Sequence, residues 1–237
     1  MRQLISGGVA LVTILTFSAC DADGSAGGDT TGTTQGLLTQ TQQEGMAERS
    51  AIDVATLGFN MGVAASPVRV VEMSDYGCSY CRQFHMETFP TLLADYIESG
   101  KVEWKFMPFV NGMFENSPLA TEAAECALEQ STEVFRVLNE RLWDDQSVWK
   151  QSDDPEPVLR GMADDAGVDI REWVSCMESD RRLERVRAAS NLAGQLGVRG
   201  TPTFFVVGYP PLQGALPLEP FKEILDAVYA DASTGGG

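Results

Sequence analysis

From residue 68 onward, apolar positions switch between the two-residue period of strands and the wider period of helices. Val68-Arg69-Val70-Val71-Glu72-Met73 is short and rich in β-branched residues, which predicts a strand over about 68–73. Along it Val70 and Glu72 share one face, and Val71 and Met73 the other. Phe84, Thr88, Leu92 and Tyr96 then recur at helical spacing and predict a helix over about 79–98. Pro90 should kink that helix, because it lacks an N–H and crowds the preceding turn. A second strand is expected over about 102–107, followed by a long helical stretch. Leu183, Val186, Ala189, Ala193 and Leu196 mark the buried stripe of the last helix in that stretch, with Gly197 placed as its C-cap. A strand over about 203–207, a short strand near 213–215 and a helix over about 218–230 complete the order.

Within the helical stretch, residues from about 117 to 178 read as three or four helices interrupting the α/β pattern. Asp154-Pro155 suits an N-cap followed by proline in the first turn, and Asp169 with Glu172 makes a capping box.

The N-terminal pattern is different. Arg2 precedes a mostly apolar run from Leu4 to Phe17 that is too short to span a bilayer comfortably, so residues 1–19 read as an export signal peptide. Phe17-Ser18-Ala19-Cys20 resembles a bacterial lipobox, with Phe where leucine is usual; cleavage nearby without lipidation is the alternative. Residues 21 to about 45 are rich in Gly, Thr, Ser, Gln and Asp and cannot bury a core. Residues 20–56 are therefore expected to be a lipid-anchored flexible linker, and 57–237 the folded domain. The span of residues 21 to about 45 would be on the order of 25–30 Å. A formal net charge of −17 argues against nucleic acid as a partner, since phosphates would be repelled. Asp144-Asp145 and Asp153-Asp154 read as solvated loop and cap positions.

The chemistry concentrates in Cys78-Ser79-Tyr80-Cys81, where the first strand gives way to a helix. At a helix N-terminus, free N–H groups and the dipole favour a thiolate, the form that attacks disulfides. Cys78 is the candidate nucleophile and Cys81, one turn inside, the resolving thiol. A zinc site would need two more ligands, but His85 is the only histidine and no second Cys-x-x-Cys exists. A purely structural local disulfide would close too small a loop to add much stability. No cofactor and no metal is expected.

Several separated motifs resemble the DsbA-like branch of the thioredoxin superfamily, over residues 67–230. Val70-Val71-Glu72-Met73-Ser74-Asp75-Tyr76-Gly77-Cys78-Ser79-Tyr80-Cys81-Arg82-Gln83-Phe84-His85 resembles its strand, active site and helix start. Gly200-Thr201-Pro202-Thr203-Phe204-Phe205-Val206 resembles its cis-proline loop and next strand, and Phe221-Lys222-Glu223-Ile224-Leu225 the start of its last helix. The resemblance implies an α/β, thioredoxin-like fold with a helical insertion after the second strand of the redox domain, forming a cap beside the active site. It implies a thiol:disulfide oxidoreductase acting through Cys78 and Cys81, with Pro202 cis and Thr201 pairing by backbone with a bound peptide. Ser79 and Tyr80 would tune the potential, and Tyr80 would also meet substrate. Glu72, six residues before Cys78, takes the place of the family's buried acid, which exchanges a proton with the second cysteine. The plainer alternative leaves Glu72 facing solvent. His85 is expected either to favour the thiolate or to be a partly exposed helix residue.

Five cysteines is an odd number for an exported protein; setting Cys20 aside for lipid leaves two pairs. Cys126 and Cys176 border apolar stripes of two helices in the insertion, which suggests a bridge; two buried free thiols are the alternative. Trp104, Trp143, Trp149 and Trp173 read as packing anchors. Taken with the resemblance, the expectation is a monomeric oxidoreductase of the bacterial envelope, periplasm-facing and lipid-anchored. It would introduce disulfides into exported proteins and be served by a DsbB-like or VKOR-like membrane redox partner. A reductase or isomerase of the same fold is the near alternative. A tethered binding or chaperone module with structural cysteines is the distant one.

Overall fold

The computed structural model describes residues 54–234. The expected signal peptide, Cys20 and all but the end of the linker lie outside the described residues. A five-stranded sheet runs in the order β1-β3-β2-β4-β5. Its strands are β1 (Phe59–Met61), β2 (Val68–Ser74), β3 (Val102–Pro108), β4 (Thr203–Val206) and β5 (Leu212–Gln213). β2 and β3 are parallel, and the remaining neighbours are antiparallel. This is a thioredoxin-like α/β fold with its helical insertion between β3 and β4.

β1 is absent from the sequence reading, and the insertion follows the expected second strand, which is β3 of the sheet. Three residues cannot display a period; β1 exists because Phe59 and Met61 pair with Phe106 and Trp104 on β3. Gly58 makes the approach possible. Its φ is +69°, and a Cβ there would collide with the Phe106 carbonyl oxygen.

The helix expected over 79–98 is broken. α1 (Ser79–Glu87) stops at Thr88, and α2 (Phe89–Leu92) starts afresh with Pro90 in its first turn, where no N–H is needed. Leu93–Ile97 continues as a π-turn, with Glu98 N–H donating to the Leu93 carbonyl.

Six helices connect β3 to β4: α3 (Ser117–Gln130), α4 (Thr132–Asp144), α5 (Gln146–Lys150), α6 (Pro155–Asp165), α7 (Ile170–Glu178) and α8 (Leu183–Gln195). The first five fall in the segment expected to hold three or four; the extra one is α5, too short to show a helical period. α9 (Leu218–Thr234) closes the described chain. Asp169 caps α7 by accepting from the N–H groups of Arg171 and Glu172. Asp154 stands at the N-cap of α6 without a side-chain bond, its Pro155 in the first turn.

Each face of β2 is covered. Val70 packs with Phe84, Trp104, Phe204 and Phe221 under α1 and α9. Met73 packs with Met107, Ala189, Ala193 and Val198 under α8. Leu196 departs from the expected stripe: it is 52 % exposed, because α8 ends at Gln195 and Gly197 (φ +79°) turns the chain away. Leu192 packs in its stead. α3 to α7 enclose a third core that reaches the active-site loop through Tyr76, Cys78 and Cys81. Trp104, Trp143, Trp149 and Trp173 are all buried. No helix among the described residues is long and apolar enough to cross a membrane.

Candidate active site

β2 delivers its last residue, Ser74, and the adjoining Asp75 to the floor of the site, and a two-residue turn leads to Cys78 at the N-cap of α1. The turn is held twice: Asp75 O accepts from Cys78 N–H at 2.9 Å, and Asp75 Oδ1 accepts from Gly77 N–H at 2.8 Å. Gly77 is required by close approach. A Cβ on it would lie 2.5 Å from Cβ of Phe114.

Cys78 and Cys81 are free thiols, 5 % and 0 % exposed. Cys81 N–H points at the Cys78 sulfur at 3.4 Å, as a helix N-terminus allows. The Cys81 side chain hydrogen-bonds to Cys78 and, against the opposing effect of burial, brings its pKa down to about 5. The Thr201 side chain and the N–H groups of Cys81 and Tyr80 add to this. Cys81 moves the other way. Burial, reinforced by the Cys78 sulfur and its charge, pushes its thiol well above the usual range, while Asp75 backbone and the Ser74 hydroxyl only moderate the rise. The two sulfurs thus divide into an ionisable outer one and a protonated inner one.

The Thr201–Pro202 bond is cis, and the Thr201 carbonyl oxygen lies 3.4 Å from the Cys78 sulfur. Pro202 is buried there, and Tyr80 is 64 % exposed between the cysteines.

Glu72 is fully buried and does not face solvent. Its Oε1 accepts from Ser74 Oγ at 2.5 Å and meets His85 Nε2 at 2.7 Å; its Oε2 accepts from Trp104 Nε1 at 3.0 Å. His85 is not a partly exposed helix residue. It is 8 % exposed, its Nε2 is engaged by Glu72, and its ring stacks on Trp143 at 4.4 Å. A residue one turn past Cys81 falls on the buried face of α1, because that face looks at β2.

Asp75 is a buried carboxyl beside the outer sulfur. Burial raises its pKa to about 6; hydrogen bonds from Ser117 and Gly77 oppose the rise, and the charge of Cys78 adds to it. The sequence reading missed the clamp from the helical cap. Gln146 Nε2 donates to the carbonyls of Tyr76 at 2.6 Å and Cys78 at 2.9 Å, Tyr76 hydroxyl donates to Asn139, and Arg82 Nε donates to the Trp143 carbonyl at 2.8 Å. These partners lie 61 to 70 residues apart in sequence, so no local signal announces them.

Away from the site, Cys126 on α3 and Cys176 on α7 form a disulfide with their Cα atoms 5.9 Å apart. Trp173 beside it donates to the Ala123 carbonyl. No cluster of three metal-binding side chains occurs among the described residues.

Fold and paired thiols together define a protein thiol:disulfide oxidoreductase of the DsbA-like kind. The chain belongs to the thioredoxin family, whose model, described as Thioredoxin, matches residues 56–227. A probable disulfide bond formation protein D from Bacillus anthracis is 28 % identical over 153 residues, covering 63 % of this chain and 69 % of that protein. Disulfide bond formation protein D from Bacillus subtilis is likewise 28 % identical over 153 residues, covering 62 % and 66 %. Among solved structures, oxidised BdbD from Bacillus subtilis superposes with a TM-score of 0.67 at 22 % identity, covering 75 % of this chain and 95 % of that one. α-DsbA1 from Wolbachia pipientis gives 0.66 at 20 % identity, covering 76 % and 97 %.

Proposed function

We propose that this protein donates disulfides to exported proteins in the bacterial envelope, with Cys78 as the attacking and attacked sulfur and Cys81 as the resolving one. The observation that carries the reading is the split between the two thiols. A Cys78 held near pKa 5 is a thiolate at neutral pH, and that stabilises the dithiol form. An enzyme whose reduced form is stabilised gives up its disulfide readily. The relatives named for disulfide bond formation support the same direction.

In the donor half, a client thiolate attacks Cys78 of the Cys78–Cys81 disulfide, and Cys81 leaves and takes up a proton. A second client thiolate then attacks the client sulfur of the mixed disulfide and releases Cys78 as thiolate. Thr201 at the cis-proline offers its backbone to an extended client, a pairing tolerant of sequence. Exposed Tyr80 adds an apolar contact beside it. Re-oxidation calls for a membrane redox partner of the DsbB-like or VKOR-like type. Diacylglycerol on Cys20, with residues 20–56 as tether, would hold the domain, as a monomer, at the periplasmic face of a membrane. Within the domain, Cys126–Cys176 acts as a structural disulfide.

Equilibration with glutathione buffers tests the direction. A potential more oxidising than the roughly −270 mV of thioredoxin is expected. A value at or below it, with reduction of a model client faster than oxidation, would move the reading to the reductase alternative. Turnover surviving Cys78→Ser would remove the enzymatic assignment of that residue. Palmitate labelling of wild type but not Cys20→Ala tests the anchor; a mature protein beginning downstream of Cys20 would remove it.

A further inference from the structure

A partly open cavity of about 310 Å³ lies between the sheet and the helical cap, beside α1. Among the described residues its wall includes none of the thiol site: not Cys78, Cys81, Tyr80, Thr201 or Pro202. Phe59, Phe89, Phe106, Phe135 and the indole of Trp143 make the wall aromatic. An apolar cavity of about 150 Å³ holds one benzene ring, so this one has room for roughly two fused rings. A pocket of this size, mostly apolar with a few placed polar groups, is the usual form of a small-molecule site.

Two of its polar groups are buried and belong to neighbouring rings. Trp143 is 2 % exposed, and its Nε1–H has no acceptor among the described residues. Leaving a buried donor unpaired is costly, and native folds leave few of them. His85 is 8 % exposed and stacks on Trp143, with ring centroids 4.4 Å apart and planes within 10°. Its Nε2 is held 2.7 Å from Glu72 Oε1, which leaves Nδ1 as the ring's remaining polar atom. Glu72 accepts from Ser74 and Trp104 and acts as acceptor toward the imidazole as well. In the neutral ring Nε2 then carries the proton, and Nδ1 offers a lone pair. The stack thus brings a free donor and a free acceptor together on adjacent rings of one wall.

Charge limits the ligand further. Arg136, Glu140 and Asp144 reach the rim, but they are exposed and of mixed sign. None of the described wall residues buries an unpaired charge, so an ionic ligand would lose its water without gaining a counter-charge.

We propose that this cavity binds a planar, uncharged aromatic molecule of about two fused rings that carries a hydroxyl. The hydroxyl donates to His85 Nδ1 and accepts from Trp143 Nε1–H, while the rings lie among the phenylalanines. A hydroxyl answers both atoms, whereas an ether or ketone only accepts and a hydrocarbon does neither. The site stands independently of the thiol chemistry.

Calorimetric titration of the full chain with 2-naphthol tests the site, beside 2-methoxynaphthalene, a matched ligand that accepts but cannot donate. 2-Naphthol should bind one to one with a dissociation constant below about 1 mM. The ether should bind roughly threefold to tenfold more weakly, the range of one net hydrogen bond. His85→Phe keeps a ring in the stack and removes the acceptor, so the two ligands should then bind alike. Trp143→Phe removes the donor and should weaken both. Leu93→Trp, which fills part of the cavity, should abolish both, and alkylation of Cys78 with iodoacetamide should leave binding unchanged. An absence of heat with 2-naphthol at about 1 mM overturns the site and leaves water as the partner of Trp143. Equal affinity for the two ligands in the wild type overturns the hydroxyl assignment, as does a preference for 2-naphthol that persists in His85→Phe. Binding that survives Leu93→Trp, or that alkylation of Cys78 removes, places the ligand elsewhere and overturns the site. If His85→Phe folds poorly because Glu72 loses its partner, Trp143→Phe and Leu93→Trp decide: unchanged 2-naphthol affinity in either overturns the proposal.

Discussion

The Cys78 thiolate makes a quantitative prediction about how the redox potential follows pH. Perturbing pH alone suffices. The ordinary thiol value is 9.0, and in the folded dithiol it falls to about 5. At pH 7 the folded thiol is therefore ionised about two units above its pKa, which stabilises the reduced protein by about 2.7 kcal/mol at 1.36 kcal/mol per unit. For a two-electron couple that is about 60 mV toward the oxidising side. The direction follows from linkage. A depressed pKa stabilises the folded dithiol fully above the unfolded value, and the gain shrinks as pH falls, vanishing near the folded pKa of about 5. The slope carries the same information. Reduction takes up one proton while Cys78 is a thiolate, so the potential should fall by about 30 mV per pH unit between pH 6 and 8, and about 60 mV per unit below pH 5, where both thiols take up protons. Equilibration with glutathione over that range, read by trapping of free thiols, measures both limbs. A single slope of about 60 mV per unit persisting to pH 8 would mean a protonated Cys78 and would refute the reasoning.

Other consequences are open to direct measurement. Asp75→Asn keeps acceptors for Gly77 and Ser117 but removes a charge beside Cys78, so the thiolate pKa, read from ultraviolet absorbance, should drop and the potential rise. Replacing Cys126 and Cys176 together by alanine should cost roughly 2–4 kcal/mol in denaturant unfolding, as for a loop closed over 50 residues, and leave the potential of the Cys78–Cys81 pair unmoved. Gln146→Leu strands the carbonyls of Tyr76 and Cys78 and should destabilise the protein by roughly 1–3 kcal/mol, with slower client oxidation. Gly77→Ala must displace Phe114, and should lower stability by roughly 1–3 kcal/mol and disturb alkylation of Cys78.

What the sequence disclosed and what it hid divide along a physical line. Strands β2, β3 and β4 and the terminal helix were legible because each is long enough to show its period or lies in a recognisable motif. The break at Pro90 was legible because proline acts locally. The burial of Glu72 followed from both faces of β2 needing cover. β1 was not legible, since it owes its three residues to a partner on β3. Leu196 was misplaced because a periodic stripe does not know where its helix stops. The burial of His85 against Glu72 was not legible because its partner lies on another element, and the Gln146, Asn139 and Arg82 contacts were invisible for the same reason.

The two buried carboxyls, Asp75 and Glu72, stand in different surroundings. Asp75 follows β2 and meets the outer site, where its charge opposes the thiolate it sits beside. Glu72 lies three residues deeper, where its Oε1 accepts from Ser74 Oγ and meets His85 Nε2. A disulfide donor would gain potential by losing Asp75, yet the residue is tied by Ser117 and Gly77 into the turn that presents Cys78, so its geometry serves the site while its charge works against it. The hydrogen bond from Cys81 and the other donors outweigh that charge, since the net pKa of Cys78 still falls to about 5. Asp75 has its pKa at about 6 and Cys78 at about 5. Below the higher of these values Asp75 neutralises and ceases to oppose the thiolate, which holds Cys78 ionised further into acid than a fixed carboxylate at the same place would allow.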